Sequence, residues 1–318
     1  MKIVVIGGGG HIGTYLTPRL VKAGHEVIVI TRGKTQPYTE DAAWKQVRMV
    51  KLDRTETKNF ADKVAELEAD IVVDLINFNL KDVKKIVESL KGTRLSHYLY
   101  CSSIWAHGRA EVLPVDPNAP KQPLDEYGWE KYKSEQYLKE QYRLTGFPAT
   151  IIMPGQISGP GWKIINPVGN TDVEVFQKIA YGEVLTLPNF GMETLHHVHP
   201  DDVAQMFVKA IEHRKEALGE SFHAVSSESL TLYGYANVVY RFFGQQPQIE
   251  YLPWTEWSKM INDEALTEHS YYHLARSGQF SIENATKLLG YSPKYTVFEV
   301  VEECLKSYVS QGLIRVIA

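Results

Sequence analysis

Apolar and polar residues alternate in blocks along the first half of the chain, and the blocks predict strands and helices in turn. Residues 2–6 (KIVVI) are a short, mostly β-branched run that stops at glycine, the pattern of a strand buried on both faces of a parallel sheet. Residues 14–23 have helical spacing, with Pro18 a weak point and Gly24 closing the helix. Further strands are expected over 26–30, 47–52, 70–75, 97–101 and 149–153, with helices over 58–67, 80–90 and 127–144. A loop rich in Pro and Asp fills 108–125. Strict alternation of this kind implies an α/β fold, a doubly wound parallel sheet covered on both faces.

The second half is less regular. Residues 155–170 read as loop, and helices are expected over 173–181, 201–213, 230–243 and 297–309, with a turn at 290–293. The expected organisation is a nucleotide-binding domain over 1–160 with a return segment at about 196–228. Residues 161–195 and 229–318 would form a smaller substrate-binding lobe.

Composition narrows the function classes. The 318 residues are 44% hydrophobic and 23% charged, with a net charge of -4 that gives no reason to expect nucleic acid or an anionic membrane as partner. No apolar run approaches the roughly twenty residues that span a bilayer. The run before the first glycines is too short for a signal peptide. Cys101 and Cys304 are the only cysteines, so neither a disulfide framework nor a cysteine zinc site is expected. These features predict a cytoplasmic, metal-independent protein.

Gly7, Gly10 and Gly13 follow the first strand and open the first helix. Glycine suits a turn with unusual backbone angles where a pyrophosphate approaches the main chain, and the helix N-terminus offers free N–H groups. This predicts a bound nicotinamide dinucleotide. At the end of the second strand, where an acidic residue would read the ribose 2′-hydroxyl of NAD, stands Arg32, with Lys34 nearby. A guanidinium favours a 2′-phosphate, so NADP is expected over NAD. Asp53, after the third strand, is placed to meet the adenine or to make a turn.

Tyr127 and Lys131 lie one helical turn apart, and Ser102 and Ser103 end the fifth strand, where side chains enter the ligand crevice of such sheets. A tyrosine hydroxyl acts as acid or base beside a hydride transfer if its pKa of about 10 is lowered, as a neighbouring ammonium would do. A serine hydroxyl would then steady charge on the substrate oxygen. His196, His197 and His199 invite a metal, but neighbouring strand residues face opposite ways and no carboxylate or Cys has ligand spacing. Asp201–Asp202 reads as a helix N-cap with an acidic first turn. Trp254, Trp257, Tyr271 and Tyr272 could line a pocket or fill the core of the lobe.

The segments VIGGGGHIG (5–13), YLYCSSIWAHG (98–108), YGWEKYKSEQ (127–136), PGQISGPG (154–161), HVHPDDVA (197–204) and LGYSP (289–293) run nearly end to end. With them the chain resembles an extended short-chain dehydrogenase/reductase, the NAD(P)-dependent epimerase/dehydratase family. The resemblance implies a Rossmann-type sheet with a smaller C-terminal lobe and a catalytic set of Ser103, Tyr127 and Lys131. It implies cofactor contacts from Gly7, Gly10, His11, Ile12, Gly13, Arg32, Asp53, Pro154, Tyr127 and Lys131. Substrate contacts are expected from Ser103, Gln156 and Trp162, and a homodimer through the helices at 80–90 and 127–144.

Four positions depart from the family pattern. Ile104 and Trp105 replace the carboxylate pair of sugar-nucleotide dehydratases, so a 4,6-dehydratase is not expected. Leu195, beside Glu193, replaces the arginine of nucleotide-sugar epimerases, which weakens a diphosphate substrate. His107 replaces the usual tyrosine. The expected function is an NAD(P)-dependent oxidoreductase or epimerase acting on a hydroxyl carbon of a sugar, sugar nucleotide or related polyol. Two alternatives are an NADPH-dependent carbonyl reductase of a non-sugar substrate and a non-catalytic, RNA-associated member of the same fold.

Overall fold

The computed structural model describes residues 1–34 and 37–316. Six strands come from the first half: β1 (Lys2–Ile6), β2 (Glu26–Thr31), β3 (Arg48–Lys51), β4 (Ile71–Asp74), β5 (His97–Cys101) and β6 (Ala149–Pro154). With Ser221–Ala224 they form one seven-stranded parallel sheet, ordered Ser221–Ala224, β6, β5, β4, β1, β2, β3. The chain builds outward from β1 to β3, then jumps back to lay β4 against the other side of β1. That reversal opens a crevice at the carboxyl ends of β1 and β4, where such sheets bind ligands.

Helices α1 (His11–Lys22), α2 (Phe60–Ala65), α3 (Leu80–Leu90) and α4 (Glu126–Thr145) connect the strands, and α5 (Glu174–Ala180) and α6 (Pro200–Glu212) follow. The two faces of the sheet make two cores. Ile3 and Val5 face Leu16, Leu20, Val203 and Phe207 of α1 and α6, while Val4 and Ile6 belong to the core of α2, α3 and α4. The period of two along β1 thus serves both layers. In α3 the stripe Val83, Ile86, Val87, Leu90 follows the helical period and is buried. A third core lies wholly within residues 164–314 and is centred on Phe176, Tyr235, Val239, Trp257 and Leu305.

Some boundaries differ from the sequence pattern for physical reasons. Helix α1 begins at His11 rather than 14 and runs through Pro18, whose apolar ring is buried. Helix α2 is shorter than expected because Asn59, in a left-handed conformation, turns the chain just before it. The N-cap of α6 is His199, not Asp201 or Asp202: its Nδ1 accepts from the Asp201 N–H at 3.1 Å. The two aspartates occupy the first turn, Asp201 paired with Arg19 at 2.7 Å and Asp202 accepting from the N–H groups of Lys294 and Tyr295. The parallel pair Leu185–Pro188 and Ile249–Leu252 escapes the periodic pattern, being two short strands far apart in sequence. Helix Glu283–Leu289, expected in the small lobe, packs Ala285 and Leu289 into the sheet's first core.

Beneath the crevice lies a buried ion pair. Asp74, the last residue of β4, meets Arg54 at 2.5 Å and also accepts from the Tyr98 hydroxyl and the Asn77 amide, each at 3.0 Å. Neither charge is exposed enough to be screened, so removing one partner leaves the other uncompensated in a dry site. Arg54→Met is expected to lower the free energy of unfolding by about 3–5 kcal/mol. An unchanged urea midpoint would contradict this.

Candidate functional site

The glycine loop is built by sterics. Gly7 takes φ +84°, open to glycine at little cost, and its carbonyl accepts from the Gly10 N–H at 3.0 Å. At Gly13 a Cβ would stand 2.3 Å from the Gly8 carbonyl oxygen, so only glycine lets α1 lie this close to the loop. The N-cap residue of α1, Gly10, has no side chain to occupy the free N–H groups of the first turn. Ile12 is buried behind them. His11 is 6% exposed, yet among the described residues neither ring nitrogen has a hydrogen-bond partner. Burial, with a smaller contribution from His199, lowers its pKa to about 3 and keeps the ring neutral. Small residues, open N–H groups and an orphaned imidazole fit a dinucleotide pyrophosphate.

Around this loop the other candidate residues fall in different places. Trp162, expected at the substrate, stacks on His11 with centroids 4.8 Å apart and meets Tyr38 edge-on, at the glycine-loop end of the crevice. Arg32 is exposed directly after β2. Asp53 is a turn residue: its Oδ1 accepts from the Thr55 hydroxyl at 2.7 Å and the Thr55 N–H at 2.9 Å. Those bonds, and then the Arg32 charge, hold its carboxyl below the usual range. Pro154 ends β6 beside Ala224. Gln156 uses its side-chain carbonyl to accept from the His196 N–H at 2.9 Å, fixing the short parallel pair Gln156–Ile157 and His197–Val198.

Ser103, Tyr127 and Lys131 come together at the carboxyl end of β5. Ser103 caps a single 3-10 turn, Ile104–Ala106, its hydroxyl accepting from the Trp105 N–H at 3.2 Å. Asp125 caps α4 by accepting from the Gly128 N–H at 2.8 Å, which sets Tyr127 and Lys131 in the first two turns. The Lys131 Nζ donates to the carbonyls of Asn77 and Cys101, both at 2.7 Å, and lies 5.6 Å from the Tyr127 ring centroid. Trp105 meets the Tyr127 ring edge-on at 5.8 Å.

The electrostatics differ from the sequence expectation. Burial pulls the Lys131 ammonium down to about 8, against a smaller upward pull from Cys101 and Asp74. Tyr127 as a residue is 38% exposed, but the crowding of protein around its hydroxyl raises the phenol rather than lowering it, Cys101 adds to this, and a hydrogen bond with Ser103 opposes it. The desolvation of the phenolate exceeds any help from an ammonium that is itself half-neutral near pH 8. The resting phenol is therefore a protonated donor.

The histidines have structural partners. The His196 Nε2 bonds the Ser226 carbonyl, the His197 Nδ1 bonds Ser158, each at 2.8 Å, and the His199 Nε2 meets Glu303 at 3.1 Å. His107 turns inward to the His223 Nε2 at 2.8 Å. Because the His223 Nδ1–H donates to the Ser281 carbonyl, His107 is the donor of that pair. Trp257 is core, while Tyr272 and Tyr271 continue an aromatic row from Trp105 towards Trp254. Sequence reading passed over Asn77, Asp125 and Arg276. Asp125 carried a signal, an N-cap residue before a helix; Asn77 meets Lys131 through its backbone carbonyl, and Arg276 carried none.

Comparison with known proteins finds relatives of the chain and of its fold. Residues 3–224 match the model of the NAD dependent epimerase/dehydratase family. The chain is 26% identical to the chloroplast stem-loop binding protein of 41 kDa b of Arabidopsis thaliana, over 96% of this chain and 78% of that one. It is 26% identical to a putative UDP-glucose 4-epimerase of Methanocaldococcus jannaschii, over 67% and 74%. It is 25% identical to the 2'-dehydrokanamycin reductase of Streptomyces kanamyceticus, over 72% and 63%. The fold matches the UDP-glucuronic acid 4-epimerase of Bacillus cereus, solved with UDP-glucuronic acid and NAD. There the TM-score is 0.75 at 18% identity, covering 98% of this chain and 100% of the other.

The Lys131 amine is expected to titrate near pH 8, against 10.5 for an ordinary lysine, as read by NMR of its ε-carbon. The sign follows from burial: the charged form is disfavoured in the native state, so folding gains stability as pH rises from about 8 to 10.5. A midpoint at the ordinary value would contradict the burial argument.

Proposed function

Because the chain belongs to the NAD-dependent epimerase/dehydratase family, we propose that it moves a hydride at a hydroxyl-bearing carbon of a sugar, sugar nucleotide or related polyol. The observation that carries this reading is the convergence of Ser103, Tyr127 and the buried Lys131 at one end of the crevice whose other end is the glycine loop. The dinucleotide, when bound, supplies and accepts the hydride. Tyr127, protonated at rest, gives its proton to a carbonyl oxygen in the reducing direction; in the oxidising one it must first release that proton to solvent, and its phenolate then takes the hydroxyl proton. Ser103 hydrogen-bonds the same oxygen and steadies its charge. Lys131, an ammonium below about pH 8, holds the cofactor ribose and favours the phenolate when Tyr127 must act as base.

Gly7, Gly10, His11, Ile12 and Gly13 hold the pyrophosphate, with Pro154 at the end of β6 flanking the site. Arg32, exposed at the end of β2, favours NADP over NAD. The row Trp105, Tyr272, Tyr271 offers flat faces on which sugar rings stack. Gln156 keeps its amide hydrogens for substrate, and Trp162 acts at the cofactor end. The names of the epimerase and kanamycin-reductase relatives support a sugar-like substrate. The protein is read as a cytoplasmic homodimer joined through α3 and α4. The stem-loop binding relative favours a second reading, a non-catalytic RNA-associated protein. The net charge of -4 and the complete Ser–Tyr–Lys set weigh against it.

Mass spectrometry of small molecules released on denaturation is expected to find a nicotinamide dinucleotide, retained NADP or NAD favouring an epimerase. A panel of nucleotide sugars, sugar acids and apolar ketones, followed at the reduced-nicotinamide band, then separates steady redox turnover from epimerisation. Tyr127→Phe is expected to cost about 10²–10⁴-fold in rate. Full activity in that variant would overturn the reading.

A further inference from the structure

Arg276 lies in the loop after helix Glu264–Leu274, far in sequence from the first half of the chain, and its side chain is 1% exposed. Its guanidinium carbon stands 3.8 Å over the Trp105 ring, and its Nη2 lies 2.9 Å from the Asp125 Oδ1. Its Nη1 donates to the Tyr272 carbonyl at 2.5 Å, so the loop is tied to the preceding helix as well. Trp105 is two residues after Ser103 in the turn that Ser103 caps, and Asp125 is the cap of the helix that carries Tyr127 and Lys131. One buried cation thus touches both segments that deliver the catalytic hydroxyls. The two segments are otherwise joined at close quarters, since a Cβ at Gly128 would stand 2.6 Å from the Trp105 carbonyl oxygen.

We propose that Arg276 is a positioning residue, a clamp from the C-terminal lobe that holds the Ser103 turn and the first turn of α4 in register so that Tyr127 faces the Ser103 hydroxyl. The planar guanidinium suits this role because it stacks on an indole while its edge lies in ion-pair range of a carboxylate, which a lysine cannot do. Its charge is spent on Asp125 and Trp105, and its burial keeps both contacts from water. The proposal rests on Tyr127 being the acid–base group, and it adds that the lobe sets the placement of that group.

Titration of the Tyr127 phenol decides between a clamp and a bare charge effect without needing a known substrate. It is read as the ultraviolet tyrosinate difference between each variant and the same variant carrying Tyr127→Phe. Burial raises the phenol, and the Asp125 charge raises it further. If Arg276 acted only through charge, Arg276→Met would raise the phenol, Asp125→Asn would lower it, and the double variant would restore it. Tyr127 is 38% exposed on its crevice side and packed by Trp105 on the other, so if Arg276 is a clamp, every one of these variants loosens that packing and lets more water reach the phenol. Each is then expected to lower its pKa towards the ordinary range, about tenfold or more in proton affinity. Asn at 125 keeps a capping oxygen for the Gly128 N–H, so the helix still starts. Should Arg276→Met fail to fold, Arg276→Lys keeps the charge without the planar stack. A clamp then predicts a lowered phenol, and charge alone an unchanged one. A rise in Arg276→Met, or no shift in Arg276→Lys, overturns the proposal. Full activity in Tyr127→Phe overturns instead the reading beneath it, and leaves the titration to be judged separately.

Discussion

A lysine amine withdrawn from water needs acceptors, and in this protein they are two backbone carbonyls, those of Asn77 and Cys101. Their segments follow β4, which borders the crevice, and end β5, its neighbour on the other side, and Lys131 itself rides on α4. One buried group therefore ties two strand ends and a helix at the place where the sheet opens. Remove the carbonyls' geometry and the amine would have to reach water, taking the helix with it. The depth of burial also fixes the chemistry: it holds the amine near the point of half-protonation around pH 8 and leaves the neighbouring phenol protonated.

The ion pair of Arg54 and Asp74 supports the same place from below. Asp74 accepts from Asn77, whose carbonyl receives Lys131, so the polar network runs from the carboxyl end of β4 to helix α4. Each member uses its neighbour to satisfy a buried group, which makes the network costly to break at any one point. Lys131 is thus held by the same network that satisfies the buried Arg54–Asp74 pair.

Much of this was legible in the sequence, and the parts that were not share a cause. Strands β1, β2, β4, β5 and β6 announce themselves because a strand buried on both faces is a continuous apolar run, and the glycine loop because no other residue fits it. The positions of Ser103, Tyr127 and Lys131 follow from the order of elements. The environment of Tyr127 does not, since desolvation depends on what packs around it: the expected lowering of its phenol is a raising. Trp162 could be assigned to a pocket but not to the correct end of the crevice, because its partner His11 is about half the chain away. Arg276 and the pair Leu185–Pro188 with Ile249–Leu252 depend on contacts between distant segments and leave no local period to read.

The path of the chain has its own consequence. It completes six strands, leaves for the small lobe, returns to add Ser221–Ala224 along β6, and leaves again. During synthesis, β6 therefore waits with an open edge until some seventy further residues have emerged, and an open parallel edge is a template for wrong pairing. The lobes cannot be made one after the other. The seven-stranded sheet is complete only once residues 221–224 have been made, and a fragment ending at Pro154 would keep the β6 edge unpaired.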